Sequence, residues 1–152
     1  MAKRLRKFLA LDSASKRLFI QAYYLLGVLR LAILTSSFKK LVSGLTVHRA
    51  AVDQAPLDAG LLATAHRIGW AVRTAACFTP WNSTCLVQVL TAQRLLQEGG
   101  VAGVFYLGAS TEPGSEADSA MSAHAWLKCG AEYITGESGH EKFTVVSSFT
   151  WG

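Results

Sequence analysis

The sequence predicts an α+β fold, with most helices early in the chain and an antiparallel sheet in its last third. Two observations predict this class. Long segments with apolar residues at helical spacing come first and end at Gly99 and Gly100. Short runs rich in β-branched and aromatic residues follow, separated by turns that contain glycine. Helices followed by strands, rather than an alternation of the two, are typical of α+β proteins.

The first fifty residues are predicted to form a basic, hydrophobic helical segment. Residues 1–7 are basic and are expected to fray, and a long helix is expected from Lys16 to Thr35 after several good N-cap residues. A short helix is expected from Phe38 to Leu45. The apolar stretch from Leu18 to Leu34 is only about 17 residues long and contains Arg30, which favours a buried or interfacial helix over a membrane span.

The charge of the chain is divided between two regions. Residues 1–50 hold ten Lys or Arg and one Asp, a balance of +9, whereas residues 51–152 hold five basic and nine acidic residues, a balance of −4. A basic segment of this kind favours an anionic partner, such as an acidic peptide, a lipid surface or nucleic acid. We therefore divide the chain into the basic segment 1–50 and a domain at 51–152, with a linker near residues 49–56.

The remaining elements follow from periodicity and turn residues. A helix is expected from Leu57 to Ala75, and a second helix begins at Cys85 and ends before Gly99. Residues 108–120 predict a polar loop. The expected strands are Val101–Leu107, Met121–Lys128, Glu132–Thr135 and Phe143–Phe149.

Cys85 is the first candidate for chemistry because it stands at the predicted start of a helix, directly after the N-cap candidates Ser83 and Thr84. The positive end of the helix dipole favours the thiolate, which is the nucleophilic form of cysteine. His124 lies in a predicted strand from which it can approach a helix tip as a base, and Trp81 is placed to shield the site or to position an acyl group. The alternative is structural: a buried cysteine packs as a small hydrophobe, and a histidine between alanines packs half-buried.

A nucleophile and a base also need a group that orients the base. Glu137 follows the strand after His124, where a hairpin would return it beside the imidazole. Glu132, at the start of that strand, is its competitor, and Glu141 is a weaker option. The backbone N–H of Cys85, at the free end of the helix, is a natural oxyanion donor.

The chain has three cysteines, Cys77, Cys85 and Cys129, and none of them forms a CxxC pair, so neither a zinc site nor a redox motif is expected. The odd number, together with the lack of a recognisable signal peptide, favours a reducing, cytoplasmic compartment. Cys77 and Cys129 are expected to be buried thiols. The other histidines are expected to be surface or packing residues, with His140 solvated in its loop.

Three stretches, taken in order, carry a resemblance to a known family: PWNSTCLVQVLTAQRLLQEGGV, FYLGAS and AHAWLKCGAEYITGE. Together they resemble the transglutaminase-like cysteine peptidases of lasso-peptide biosynthesis, the leader peptidases or B proteins in their separate-chain form. The resemblance covers roughly residues 57–149. It implies a papain/transglutaminase-like core with N-terminal helices, the catalytic cysteine at a helix N-terminus packed on the sheet. It also implies a triad of Cys85, His124 and Glu137.

The resemblance implies a function and partners as well. The enzyme would remove the leader from a ribosomally made precursor peptide and so free the core amine, which a partner ATP-dependent cyclase would join into a macrolactam. A small leader-binding protein is implied as a second partner, while no metal, organic cofactor or nucleic acid is expected. A cytoplasmic location is expected, and contact of the basic segment with the inner membrane surface stays open.

The chain departs from the family pattern at two positions. The family usually has an acidic residue where this chain has Lys128, and its orienting residue is commonly Asp, one methylene shorter than Glu137. Two other functions stay open. The same three residues serve acyl transfer to an amine, as in transglutaminases and arylamine acetyltransferases. A membrane-associated scaffold, whose cysteine is merely packed, is the alternative without catalysis.

Overall fold

The computed structural model describes residues 2–52, 54–110 and 122–151. Helices dominate the first part and an antiparallel sheet the second, which confirms the predicted α+β class. The elements are, in chain order, α1 (Ala2–Leu9), α2 (Ser13–Thr35), α3 (Phe38–Leu41), β1 (Thr46–His48), α4 (Ala59–Ala76), α5 (Cys85–Glu98), β2 (Gly103–Ser110), β3 (Ser122–Cys129), β4 (Glu132–Thr135), a 3₁₀ turn (His140–Lys142) and β5 (Thr144–Trp151).

Residues 2–9 form helix α1, so the expectation that the basic start of the chain frays is wrong for the described residues. Phe8 of α1 packs against Phe19 of α2, with ring centroids 5.2 Å apart. Isolated helices of this length are unstable in water, and tertiary packing is what stabilises them. The contact with α2 therefore explains why a short basic segment folds.

The long helix α2 turns one side to the core. Ala22, Leu26 and Leu29 are buried there, and α2 packs on both α4 and α5. By length and composition α2 is apolar enough to cross a membrane, although the core helix of a soluble protein meets the same criteria. Through this buried side, α2 packs on the two helices that cover the sheet.

Helices α4 and α5 both begin after residues whose side chains cap them. Asp58 accepts a hydrogen bond from the backbone N–H of Leu61 at 2.8 Å, and Thr84 caps α5. Gly69 lets α4 approach β4 closely, because a Cβ at this position would lie 2.7 Å from Cγ2 of Ile134. The start of α5 is thus set by a local cap, and α4 is set against the sheet by a small residue.

The sheet of the described residues has five strands in the order β1-β5-β2-β3-β4, and all its neighbouring strands are antiparallel. The sequence pattern does not predict β1, since only three residues, Thr46 to His48, pair with β5. The β3–β4 hairpin turns through Gly130, whose φ is 60°. This hairpin brings the residues after β4 back towards the start of β3.

The two faces of the sheet pack against different surroundings. Along β3, Leu127 and Cys129 join the main core beneath the helices. Trp126 belongs instead to a smaller cluster on the other face, with Tyr106. His124 precedes Trp126 by two residues, so its side chain leaves the strand on the same face. The imidazole therefore lies at the border of this aromatic cluster.

Three local expectations need correction. Strand β2 continues through Gly108 to Ser110, so these three residues of the predicted polar loop belong to a strand; its residues 111–120 lie outside the described residues, as does Met121. Cys77 is exposed rather than buried because it directly follows the last turn of α4, whereas Cys129 is buried as predicted. His140 is half-buried rather than solvated.

Candidate active site

Cys85 is the first residue of α5, and the cap that precedes it is formed. Oγ1 of Thr84 accepts a hydrogen bond from the backbone N–H of Val87 at 3.4 Å, and the side-chain amide of Gln88 donates to the carbonyl of Ser83 at 3.0 Å. The N–H of Cys85 lies in the first turn, where the helix itself supplies no acceptor. The half-buried thiol therefore stands at the positive end of α5, as predicted.

One hydroxyl group organises the loop that leads to the cysteine. Oγ1 of Thr79 lies 3.1 Å from the carbonyl oxygens of both Ala76 and Trp81, and 2.8 Å from Oγ of Ser83. Because a hydroxyl has one proton and two lone pairs, Thr79 can donate to a carbonyl while it accepts from Ser83. The end of α4 is thereby joined to the start of α5, which defines where Cys85 stands.

Trp81 packs against α2 and is not among the residues that line the pocket at Cys85. Its ring lies edge-on to Tyr23, with centroids 5.4 Å apart, and a Cβ at Gly27 would lie 3.2 Å from the indole. The indole Nε1 is buried without a hydrogen-bond partner among the described residues. By packing on α2, Trp81 holds the loop between α4 and Cys85 in place, so its contribution to the site is indirect.

The side chain of His124 is held by one hydrogen bond and two aromatic neighbours. Its Nε2 lies 2.7 Å from the carbonyl oxygen of Gly136. The ring centroid lies 5.7 Å from that of Trp126 and 5.2 Å from that of Phe143. Because a carbonyl can only accept, Nε2 carries the proton and Nδ1 is the basic nitrogen of the neutral ring. The imidazole is thus presented in a single tautomer.

The residue that supplies this carbonyl has to be glycine. Gly136 has a φ of 75°, in the left-handed region that other residues rarely adopt. A Cβ there would lie 2.8 Å from Cα of Trp126 and closer still to the carbonyl oxygen of Ala125. A backbone acceptor cannot be read from side-chain types, and a glycine directly after a strand was the one available signal in the sequence.

Gly108 makes room for the aromatic cluster beside the histidine. It stands opposite His124 in the β2–β3 register. A Cβ at Gly108 would lie 2.8 Å from both Cβ of Phe143 and the ring of Trp126. The indole and the phenyl ring can therefore flank the imidazole only because this position has no side chain.

Cys85 and His124 line one pocket of about 320 Å³. Its walls are almost wholly apolar and come from three parts of the chain: α2 with α3, the start of α5, and β2 with β3. The other lining residues are Ile33, Phe38, Leu41, Thr84, Leu86, Leu107, Gly108, Ala123 and Ala125. The structure therefore places the predicted nucleophile and the predicted base at one apolar pocket, the usual setting of a ligand site.

The carboxylate of Glu137 lies outside the hydrogen bond that holds the base. Its side chain is exposed, and within the described residues no hydrogen bond joins it to His124. Its backbone carbonyl accepts from Nδ1 of His140 at 2.6 Å, and the hydroxyl of Tyr133 donates to Nε2 of His140 at 3.0 Å. His140 thereby holds the turn that contains Gly136 and Glu137. The expectation from the sequence that His140 is solvated missed this role.

The competing carboxylates are also exposed. Glu132 pairs with Cys129 at the start of the β3–β4 hairpin, and Oε2 of Glu141 lies 3.4 Å from Nδ1 of His140. The Nζ of Lys128 lies 4.9 Å from the centroid of the Tyr133 ring. Among the described residues, neither glutamate is hydrogen-bonded to the candidate base.

The three thiols have different surroundings. Burial raises the pKa of the Cys129 thiol to about 12, so it stays protonated at neutral pH. Cys77 is exposed, and its Sγ donates to the carbonyl of Arg73 at 3.4 Å. Cys85 alone among the three lines the pocket with His124. In the part of the chain that the structure describes, no group of three His, Cys, Asp or Glu side chains could hold a metal ion.

A protein-family model described as the transglutaminase-like superfamily matches residues 25–148. The matched span begins within α2, contains α4 and α5 completely, and includes both Cys85 and His124. No curated protein and no solved structure matches the chain.

Proposed function

The chain belongs to the transglutaminase-like superfamily, and from that premise we propose that it is a cysteine peptidase that removes the leader of a lasso-peptide precursor. Membership supports cysteine peptidase or acyl-transfer activity at the coarser level. The observation that supports catalysis is the shared pocket, which is lined both by Cys85 at a helix N-terminus and by His124, whose Nε2 is held by the carbonyl of Gly136. A merely packed cysteine does not require an oriented base at its pocket.

The reaction follows from the roles of these atoms. Nδ1 of His124 takes the thiol proton as Sγ of Cys85 attacks the carbonyl carbon of the scissile peptide bond. The N–H of Cys85 donates to the oxyanion at the positive end of α5. The imidazolium gives its proton to the departing core amine, which leaves the leader bound as a thioester. Water, deprotonated by the same imidazole, then releases the leader as a carboxylate and restores the thiol.

Glu137 is the proposed third member of the triad, and it acts through its charge. The carbonyl of Gly136 already holds Nε2 of His124, so the carboxylate one residue further stabilises the imidazolium from a solvent-exposed position. Exposed charge pairs contribute at most about 1 kcal/mol. Glu137 is therefore expected to contribute far less to the rate than a carboxylate hydrogen-bonded to the ring.

The substrate and partners of the proposal come from the resemblance of the three sequence stretches. A small leader-binding protein presents the precursor, and an ATP-dependent cyclase uses the freed core amine. The apolar walls contributed by Ile33, Phe38 and Leu41 suit the side chains of a peptide better than a small charged metabolite. Each step of the proposed mechanism uses only groups of the chain and water.

Acyl transfer to an amine is the second candidate, because the superfamily match supports both activities equally. The same thioester would form at Cys85, and an amine rather than water would attack it. The mass of the leader product separates the two outcomes. Hydrolysis gives a free carboxylate, whereas transfer gives a leader amide that carries the acceptor.

The test incubates the purified chain with a lasso-peptide precursor and a small leader-binding protein, and follows the fragments by mass spectrometry. Cys85→Ala and His124→Ala are expected to lower the cleavage rate on the order of 10⁴-fold or more. The matched control is Cys77→Ala, because this exposed thiol lies outside the pocket, and it should cleave like the wild type. Near-normal cleavage by folded Cys85→Ala protein would refute the mechanism.

A further inference from the structure

The long helix α2 is apolar on two opposite sides, and the described chain covers one of them. Ala22, Leu26 and Leu29 point to the core. At 3.6 residues per turn, a second apolar stripe about 120° wide runs along the other side. We name it the outer face of α2, and it consists of Ile20, Tyr24, Val28, Leu31 and Leu34.

The outer face is open to solvent. The exposed fraction is 58% for Ile20 and 69% for Tyr24, and Leu31 and Leu34 fall between these values. A helix that is apolar all round is normally buried on all sides, and a large exposed apolar patch marks an interaction site. The outer face therefore needs a cover from outside the described chain.

The outer face forms one wall of an open apolar groove of about 630 Å³, since Ile20, Tyr24, Val28 and Leu31 all line it. Trp81 lines it together with Phe19 and Tyr23, and Gly27 between them adds no side chain. The groove deepens the apolar surface at the middle of α2.

Basic residues stand at both ends of the outer face. Lys16 and Arg17 lie one turn before Ile20, and Lys39 and Lys40 follow α2 in α3. Helix α1 adds more basic residues beside α2, and residues 1–50 contain a single acid. An apolar stripe bordered by Lys and Arg is the pattern of helices that lie in the surface of anionic membranes.

We propose that the outer face of α2, together with α1, is a docking surface for an anionic lipid bilayer. The helix lies along the bilayer rather than across it, because Ala22, Leu26 and Leu29 belong to the protein core and a crossing helix would leave that core. The apolar side chains enter the boundary between headgroups and acyl chains, while the Lys and Arg side chains contact lipid phosphates. This binding is independent of the proposed peptidase chemistry, since the outer face contains neither Cys85 nor His124.

The test measures co-sedimentation of the full chain with vesicles of phosphatidylcholine alone or mixed equally with phosphatidylglycerol. Binding is expected only to the anionic vesicles, and it should weaken between about 0.1 M and 1 M salt because the Debye length falls from about 10 Å to about 3 Å. Lys39→Gln with Lys40→Gln should lower the low-salt affinity about fivefold for each charge removed.

The apolar contribution is tested with a matched pair of variants. Ile20→Gln with Leu31→Gln should lower vesicle binding at least about tenfold, because two exposed side chains no longer enter the bilayer. Val47→Gln with Val146→Gln is the control, since these residues are 56% and 55% exposed but lie on the sheet. The control should bind like the wild type. Cys85→Ala should also bind normally, which separates this result from any failure of the peptidase proposal.

A second measurement remains informative if the double variant unfolds. An environment-sensitive fluorophore attached to Leu31→Cys, in a background with Cys77→Ser and Cys85→Ala, should shift to the blue with anionic vesicles, whereas the same label at Val146→Cys should not. Three results would overturn the proposal: no vesicle binding by the wild type, equal loss in the Val47 and Val146 control, or equal spectral shifts at both labels. A wild-type dimer that becomes a monomer in the Ile20 and Leu31 variant without lipid would overturn it too, by assigning the face to a second copy of the chain.

Discussion

Replacing Gly136 with alanine is expected to destabilise the protein and to disturb the candidate base at the same time. The left-handed conformation, with φ at 75°, costs a residue with a Cβ about 1–2 kcal/mol. The new Cβ would also lie 2.8 Å from Cα of Trp126 and closer to the carbonyl oxygen of Ala125, and overpacking of this kind costs about 1–3 kcal/mol. We therefore expect a loss of about 2–5 kcal/mol in the free energy of unfolding.

Gly139 provides the matched control for this experiment. Its φ is 79°, yet a Cβ there would meet no atom within 4 Å. Gly139→Ala should therefore show only the backbone cost of about 1–2 kcal/mol. Urea unfolding followed by tryptophan fluorescence measures both losses, and the difference between them reports the close approach of Gly136 to β3.

The same two variants distinguish an effect on the stability of the protein from an effect on the position of the His124 imidazole. The folded fraction of Gly136→Ala should lose activity, because the shifted carbonyl no longer holds Nε2 of His124, while Gly139→Ala should stay active. Equal destabilisation by the two alanines would refute the close approach. Full activity in folded Gly136→Ala protein would show that the carbonyl does not orient the base.

Four further outcomes are expected. Glu137→Ala should lower the cleavage rate by about fivefold at most, as expected for an exposed charge, and Glu132→Ala should lower it by less. The reverse order would assign the orienting role to Glu132. A loss above about 10³-fold in Glu137→Ala would mean that the Glu137 carboxylate contacts the base directly. The Cys129 thiol ionises above about pH 9 in the unfolded chain, whereas in the native protein its pKa is about 12. The free energy of unfolding should therefore fall as the pH rises from about 9 to 12. Urea titrations of Cys129→Ala should no longer show this contribution to the pH dependence. In the native protein Cys77 should react with iodoacetamide while buried Cys129 does not, which peptide mapping can show. Thr84→Ala should cost about 1 kcal/mol in urea unfolding through loss of the α5 cap, and an unchanged midpoint would contradict the cap.

Helices α2, α4 and α5 could be predicted well because their signals are local, whereas α3 ends at Leu41 rather than at the expected Leu45. Thr84 before Cys85 and Gly99 after Glu98 begin and end α5 as the sequence indicates. Strand β1 could not be predicted, since its three residues form a strand only by pairing with β5, 100 to 104 positions away. The folding of α1 depends in the same way on a tertiary contact, between Phe8 and Phe19.

The candidate site shows the same contrast between local signals, which the sequence carries, and tertiary contacts, which it does not. Cys85 and His124 could be named as candidates because a cysteine after N-cap residues and a histidine in a later strand are visible as residue types, and both line one pocket in the structure. The acceptor for the imidazole could not be found this way, because Gly136 acts through its backbone. The exposure of Glu137 depends on how His140 and Tyr133 hold the turn, which is a matter of packing rather than of residue type.

The position of β5 in the sheet has a consequence for the order of folding. β5 follows all the other described strands in the chain, yet it lies inside the sheet, between β1 and β2. Until it is in place, β1 has no partner and β2 presents an open edge. Joining Thr46 to Thr150 also closes a loop of 104 residues (150 minus 46), and contacts so distant in sequence slow folding. The sheet is therefore completed by insertion of a strand between two others, and a nascent chain that lacks β5 exposes two strand edges that can pair with other chains.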